Sequence, residues 1–400
     1  MNPVSIAIRG IRERRVSSAI TIAAVALACS LLMLVWAFKK EAEQSFAGAS
    51  GGFDGVLGPR GSKLQIVLNA LYHLDESPGL MRWADYEQAK KFPAVEAAYP
   101  IAVGDNYRGY RLVGTISEYL ANHEYREGQS FELQGEGSLF EEKSLTAVVG
   151  SFAAQRLGMK VGDTFHPYHG LVYNEAAAHE ELYTVAGILE PTGTPADKVI
   201  WIPISGIQTM SGHNPAAATD VSAVLIKLKK GANMAGFQLD MLYNKRGDRL
   251  TLAWPASRTI IQFFDKISWF DKILQAVAIL VAIISGGSIL AILYNAMNER
   301  KRDIAVMRAL GARKRTVFAI SLLEAVGMTA AGVLFGFLLY FALGSGIAGI
   351  VQRETGVALS PFSDNSAMLW APLGMLGIGL LSGILPAIKA YRTDVSRNLI

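Results

Sequence analysis

Four long apolar runs dominate the alternation of hydrophobic and polar positions along this chain. Residues 16–38, 273–298 and 367–388 carry no charged side chain, and residues 316–343 carry one, Glu324. Each run exceeds the ~20 residues that an α-helix needs to cross a bilayer. The pattern predicts four transmembrane helices. A cleaved leader has an apolar core of only ~7–15 residues, so the first run is expected to be retained as a helix.

Between the first and second runs the texture changes. Short alternating or β-branched stretches at 110–116, 144–149, 182–189, 199–204 and 222–228 predict strands. Stretches at 81–91, 151–158 and 232–243 predict helices, separated by turn signals such as Pro191-Thr192-Gly193. The expected fold class is therefore membrane α-helical, with four spans and an inserted α+β domain at 39–257. Residues 258–272 place Ile260, Ile261, Phe264, Ile267 and Phe270 at three- and four-residue spacing, which gives one apolar face. No proline or glycine separates this stretch from the second run. One continuous stalk and span is expected over 258–298.

Charge orients the spans. The segments 1–15, 299–315 and 389–400 hold fourteen basic and four acidic residues, whereas the short connection 344–366 holds only Arg353, Glu354 and Asp364. Lys and Arg excess marks the cytoplasmic face. Both termini and the 299–315 loop are expected inside, with the inserted domain and the 344–366 loop outside. The net charge of +4 then reflects topology and gives no reason to expect nucleic-acid binding. Only 18% of residues are charged, against ~25% in average globular usage, which fits a chain part membrane and part soluble. The single cysteine, Cys29, excludes an intrachain disulfide and a cysteine-based metal cluster.

Three places carry candidate chemistry. The first is residues 299–315, read as a short amphipathic helix capped by Gly311. Ile304, Met307 and Leu310 form its apolar stripe, flanked by Arg302, Asp303 and Arg308. Such a helix suits either lipid headgroups or a cytoplasmic partner. The second is a run of histidines, His166, His169 and His179, with Glu181 close by. Imidazole with carboxylate suits zinc. Stretches 161–166 and 182–189 read as hairpin arms that bring His169, His179 and Glu181 together. His213 either completes such a site or lines a loop. The third is Glu324, a charge within a span, read as a helix-packing group in preference to a pathway residue. Glycines at 286–287 and 332–346 predict close helix contacts, a contact between two subunits among them. No nucleophile stands beside a base at a telling spacing.

The run Glu299-Arg300-Lys301-Arg302-Asp303-Ile304-Ala305-Val306-Met307-Arg308-Ala309-Leu310-Gly311-Ala312 closely resembles the coupling loop of FtsX/MacB-type ABC transporter permeases. The opening Ile6-Ala7-Ile8-Arg9-Gly10-Ile11-Arg12-Glu13-Arg14-Arg15 is similar to their amphipathic cytoplasmic helix. Residues 145–162 and 183–195 are similar to their MacB-like periplasmic domain. The resemblance implies a non-enzymatic permease subunit in a bacterial inner membrane, with residues 299–311 as the ATPase-coupling element. It implies a separate cytoplasmic P-loop ATPase dimer carrying ATP and magnesium, because Gly58-Pro59-Arg60-Gly61-Ser62-Lys63 lacks P-loop spacing. It also implies a second permease subunit, with a homodimer expected, a lipid environment, and a periplasmic protein or lipoprotein as partner. Two outputs go with the family: mechanotransmission that exports or extracts a cargo, and signalling to a cell-wall hydrolase.

Overall fold

The computed structural model describes residues 3–213, 219–360, 362 and 366–392. Arg397 and most of the tail expected at 389–400 lie outside the described residues. The chain forms two compact units. One comprises Met1–Glu41, Ile267–Ala348 and Ser360–Ile400, and the other Ala42–Lys266 and Gly349–Leu359.

Among the described residues, four helices are long and apolar enough to cross a membrane: Arg15–Gly48, Ala256–Glu299, Lys314–Thr355 and Ala367–Lys389. They contain the four predicted spans, and three overrun them considerably. A helix satisfies its own backbone hydrogen bonds, so it need not end where the hydrocarbon ends. The spans share a core of Cys29, Met33, Leu293, Met328, Tyr340 and Met375, among others. Large apolar side chains on their outer surfaces, such as Leu334, Trp370 and Leu381, are exposed, as lipid-facing positions should be. Gly332 and Gly336, one turn apart, sit against Val25, Ala26 and Cys29 of the first span. A side chain at either position would push those helices apart. The predicted small-residue contact is thus made within the chain. The opening helix forms as Pro3–Glu13.

The stalk and second span are one helix, Ala256–Glu299. Its predicted apolar face is only partly used. Ile260 is buried and Phe264 packs on the inserted domain's core, while Ile261, Ile267 and Phe270 are exposed. The connection expected at 344–366 is shorter than predicted. Helix Lys314–Thr355 continues twelve residues past the predicted span end at Leu343, and Gly349–Leu359 clusters with the inserted domain. Val357 joins that domain's core, and Lys198 donates to the Glu354 carbonyl.

The inserted domain is built on a mixed sheet of ten strands among the described residues. Its order is Leu250–Ala253, Gly55–Pro59, Ala223–Leu228, Val95–Tyr107, Tyr110–Thr115, Ile200–Pro203, Thr146–Val149, Tyr183–Ile188 and Thr164–Phe165, with Tyr168–His169 pairing beside Val95–Tyr107. The five predicted strands are all present. Successive residues point to opposite faces, and both faces are dry. Leu57, Leu112, Val149, Ile200, Ile202 and Val224 fill one core. Val56, Val113, Val148, Trp201 and Leu225 fill the other. This explains why the strands read as short continuous apolar runs rather than strict alternations. Helix Ser151–Leu157 ends at Gly158 in the left-handed region, as its sequence predicts.

Two histidines are packed into this second core. Burial lowers the His73 imidazole to about 3, with Arg111 adding to the effect. Burial likewise lowers His123 to about 4, where its ring stacks on Phe53. Both are neutral in the folded domain, whereas an unfolded chain protonates them below pH ~6.5. Protons therefore favour the unfolded chain across this window, and stability falls as pH drops from about 6.5 toward 4 and 3. For His73 alone the loss between pH 7.5 and pH 5 is about 2 kcal/mol. Thermal unfolding of the full-length chain should show this acid sensitivity, and His73→Phe should flatten it.

Candidate metal centre and coupling loop

The long strand Val95–Tyr107 is antiparallel to Tyr110–Thr115, and the register shifts between Val103 and Asp105. Gly104 is the extra residue. A bulge of this kind bends the strand and re-aims the next side chain. That side chain is Asp105, which is fully buried. Directly across from Asp105 lies His169 on the two-residue strand Tyr168–His169. Asn106, also fully buried, holds this neighbour in place: its Nδ2 donates to the Gly170 carbonyl over 2.8 Å. Tyr107 stacks on Tyr168.

Three imidazoles converge on one carboxylate oxygen. His179 Nε2 and His213 Nε2 each lie 3.1 Å from Asp105 Oδ1, and His169 Nδ1 lies 3.4 Å away. One ligand-type atom from each of the four residues lies within 4.8 Å of all the others. His179 is buried, His213 is largely buried, and the His169 side chain is 57% exposed. The hydrogen bond to Asp105 raises the His213 imidazole above its ordinary value. A cleft of about 300 Å³ opens beside the cluster, lined by Gly104, His169, Ile207, His213 and Ser222.

The structure brings together only two of the four residues expected as ligands. His169 and His179 meet, and the hairpin arms pair as expected through Thr164–Phe165 and Tyr183–Ile188. Glu181 and His166 do not join them. Glu181 points to the turn after helix Ile204–Thr209, accepting from the Ser211 amide over 2.7 Å and the Ser211 hydroxyl over 2.8 Å. Burial alone would raise this carboxyl, but the bonds from Ser211 hold it below the usual range. Ser211 in turn presents its carbonyl to His179 Nδ1, so Glu181 positions a ring that it does not touch. His166 Nδ1 pairs with the Glu181 carbonyl. Asp105 was missed because Gly104-Asp105-Asn106 reads as a turn. Its one sequence signal is a lone acid set in a largely apolar stretch.

The stretch expected as a coupling element forms helix Lys301–Ala309, closed by Gly311 at φ +96°. Its predicted stripe divides. Ile304 is buried against Met297 and Val317, with Met307 beside them. Val306 and Leu310 are exposed, as are Arg302 and Asp303. The inward pair seats the helix, and the outward pair is what a partner would meet. Glu299 pairs with Arg14.

Arg300 ties this element to its neighbours. Its guanidinium bonds Glu324 Oε1 over 3.3 Å and pairs with Glu13 of the opening helix. Glu324 is 3% exposed. Gly10 lies so near Glu324 that a Cβ there would collide with the carboxylate. One arginine thus bridges this acid and Glu13 of the opening helix.

Comparison with known proteins agrees with this anatomy. Residues 18–241 match the MacB-like periplasmic core domain, and residues 276–395 match the FtsX-like permease C-terminal family. The chain belongs to the FtsX/MacB-type family of ABC transporter permeases. It is 27% identical over 273 residues to the pyoverdine export ATP-binding/permease protein PvdT of Pseudomonas syringae pv. tomato, covering 65% of this chain and 39% of that protein. It is 30% identical over 179 residues to the macrolide export ATP-binding/permease protein MacB of Mannheimia succiniciproducens, covering 44% of this chain and 27% of that protein. The matched region thus spans well under half of either relative. The periplasmic region of MacB from Actinobacillus actinomycetemcomitans aligns at 14% identity with a TM-score of 0.36, covering 54% of this chain and 94% of that one.

Removing one partner of a buried ion pair leaves an uncompensated charge and costs about 3 kcal/mol or more. Arg300→Met should therefore lower stability by about that amount in denaturant unfolding of the detergent-solubilised chain. Adding Glu324→Gln to the same chain should recover most of the loss.

Proposed function

We propose that this chain is the permease subunit of an ABC transporter whose cytoplasmic ATPase drives motions of the inserted domain. The observation that carries this reading is the split coupling helix. Ile304 and Met307 anchor it to the ends of two spans, and Arg300 ties it to the third span and the opening helix. Val306 and Leu310 are left outward. A push on that outward face loads the Ala256–Glu299 helix, whose other end carries Ile260 in the inserted domain's core.

In this reading both termini and the coupling helix face the cytoplasm, as the basic residues favour, and the inserted domain faces outward. The partner on the cytoplasmic side is a P-loop ATPase dimer, supplied from outside these 400 residues, which contain no P-loop sequence. A second permease subunit, in a homodimer, gives each ATPase a coupling helix to engage. The cargo is exported or extracted and is a lipoprotein, a peptide, a small molecule or a metal-linked compound. The two named relatives are exporters by title, which favours transport over control of a cell-wall hydrolase.

Co-purification of the full-length chain with its candidate ATPase tests the coupling. Leu310→Asp puts a charge on the outward face without touching the inward contacts. It should abolish recovery of the ATPase and its stimulation by the permease while leaving thermal unfolding of the permease unchanged. Undiminished recovery with Leu310→Asp would remove the proposal. Met307→Asp is a poorer probe, because it disrupts the seat of the helix as well.

A further inference from the structure

The imidazole cluster has a hydrogen-bond pattern that its own atoms do not satisfy. His179 Nδ1 lies 2.7 Å from the Ser211 carbonyl, and His213 Nδ1 lies 2.7 Å from the Ile207 carbonyl. A carbonyl oxygen can only accept, so each Nδ1 carries the hydrogen. In a neutral imidazole the other nitrogen is then a bare lone pair. Both Nε2 atoms face Asp105 Oδ1 at 3.1 Å, and an ionised carboxylate is also acceptor-only. With neutral rings, lone pairs converge, and only a proton or a metal cation can sit between them. Asp105 is fully buried, and its second oxygen, Oδ2, has no hydrogen-bond partner. A buried carboxylate in this position requires a compensating positive charge.

We propose that Asp105, His169, His179 and His213 bind one divalent transition-metal ion of the zinc class. The distances fit. Metal–ligand bonds of ~2.0–2.1 Å in a tetrahedron put neighbouring ligand atoms ~3.3 Å apart. The three separations from Asp105 Oδ1 are 3.1, 3.1 and 3.4 Å. Ligand chemistry selects the ion: three imidazoles with one carboxylate suit zinc, cobalt, nickel or copper, and are too poor in oxygen for magnesium or calcium. The backbone carbonyls on the far nitrogens of His179 and His213 are the outer partners that metal-bound imidazoles usually have. They fix each ring with its lone pair inward. Glu181 belongs to this outer layer through Ser211.

Four protein ligands complete a tetrahedron, so the site holds an ion and leaves no position for activating water. His169 is the exposed member, and it gives the ion a way in beside the cleft. Binding would cross-link the bulged strand, the Tyr168–His169 strand, the segment before Tyr183–Ile188 and the turn after Ile204–Thr209. Ion occupancy would then stabilise this end of the domain by mass action. This inference does not depend on the transporter reading.

The test uses the full-length, detergent-solubilised chain, stripped of metal and carrying no polyhistidine tag. Zinc is titrated in competition with a chromophoric chelator, and cobalt(II) is followed by its visible absorption. One equivalent should bind per chain, with tetrahedral cobalt bands and a higher thermal midpoint, while magnesium should do neither. His169→Ala removes an exposed ring, so the metal-free protein should unfold at an unchanged temperature. Its zinc affinity should nonetheless fall at least tenfold, as should that of Asp105→Asn. His166→Ala should bind as the unsubstituted protein does. Equal affinity in all of these proteins would mean an adventitious ion only. No saturable binding would mean that shared protons hold the cluster together. Either result overturns the proposal.

Discussion

A helix carries its backbone hydrogen bonds within itself, and the whole organisation of this chain follows from that. In hydrocarbon an unpaired amide or carbonyl costs several kcal/mol, so the four apolar runs have one permitted form. The same self-sufficiency lets Arg15–Gly48, Ala256–Glu299 and Lys314–Thr355 continue well past bilayer length. Nothing in the backbone marks where hydrocarbon gives way to water. The mark is left by side chains, such as the lysines and arginines clustered at 299–315.

Two buried carboxylates inside this framework are met in different ways. Glu324 sits against Arg300, with Gly10 cleared to make room. The buried carboxylate of the inserted domain, Asp105, is surrounded by rings instead of a guanidinium. The contrast is chemical. Arginine supplies its own permanent charge, so the first cluster is complete as a salt bridge. Imidazoles carry no permanent charge, and the proposed metal ion would supply the charge that the second lacks.

What could be read from the sequence follows the range of the forces involved. The spans declare themselves in twenty consecutive side chains. Strands such as Ile200–Pro203 and Ala223–Leu228 do so in four to six. The helix Lys301–Ala309 was legible because its residues and its cap lie within a dozen positions. Strand Val95–Tyr107 was not legible, because Pro100 and Gly104-Asp105-Asn106 break its pattern and pairing on both sides supplies what local preference lacks. The metal-type cluster shows the same limit. His169 and His179 are ten residues apart and could be paired by eye. Asp105 and His213 arrive from distant strands and turns, which only the sheet order brings together. The outward and inward sides of helix Lys301–Ala309 were likewise mixed, because periodicity finds a stripe without saying what covers it.

The long strand has one more property. Its first half pairs with Ala223–Leu228 through Val95 to Ile101, and its second half pairs with Tyr110–Thr115 through Ala102 to Tyr107. Two sub-sheets therefore share a single stretch of backbone, and no linker runs between them. A cut at this boundary would leave a row of amides and carbonyls unpaired on both pieces. The two halves of the domain cannot be expressed apart, exchanged between relatives as cassettes, or separated by an inserted sequence at their junction. They must be inherited as one piece.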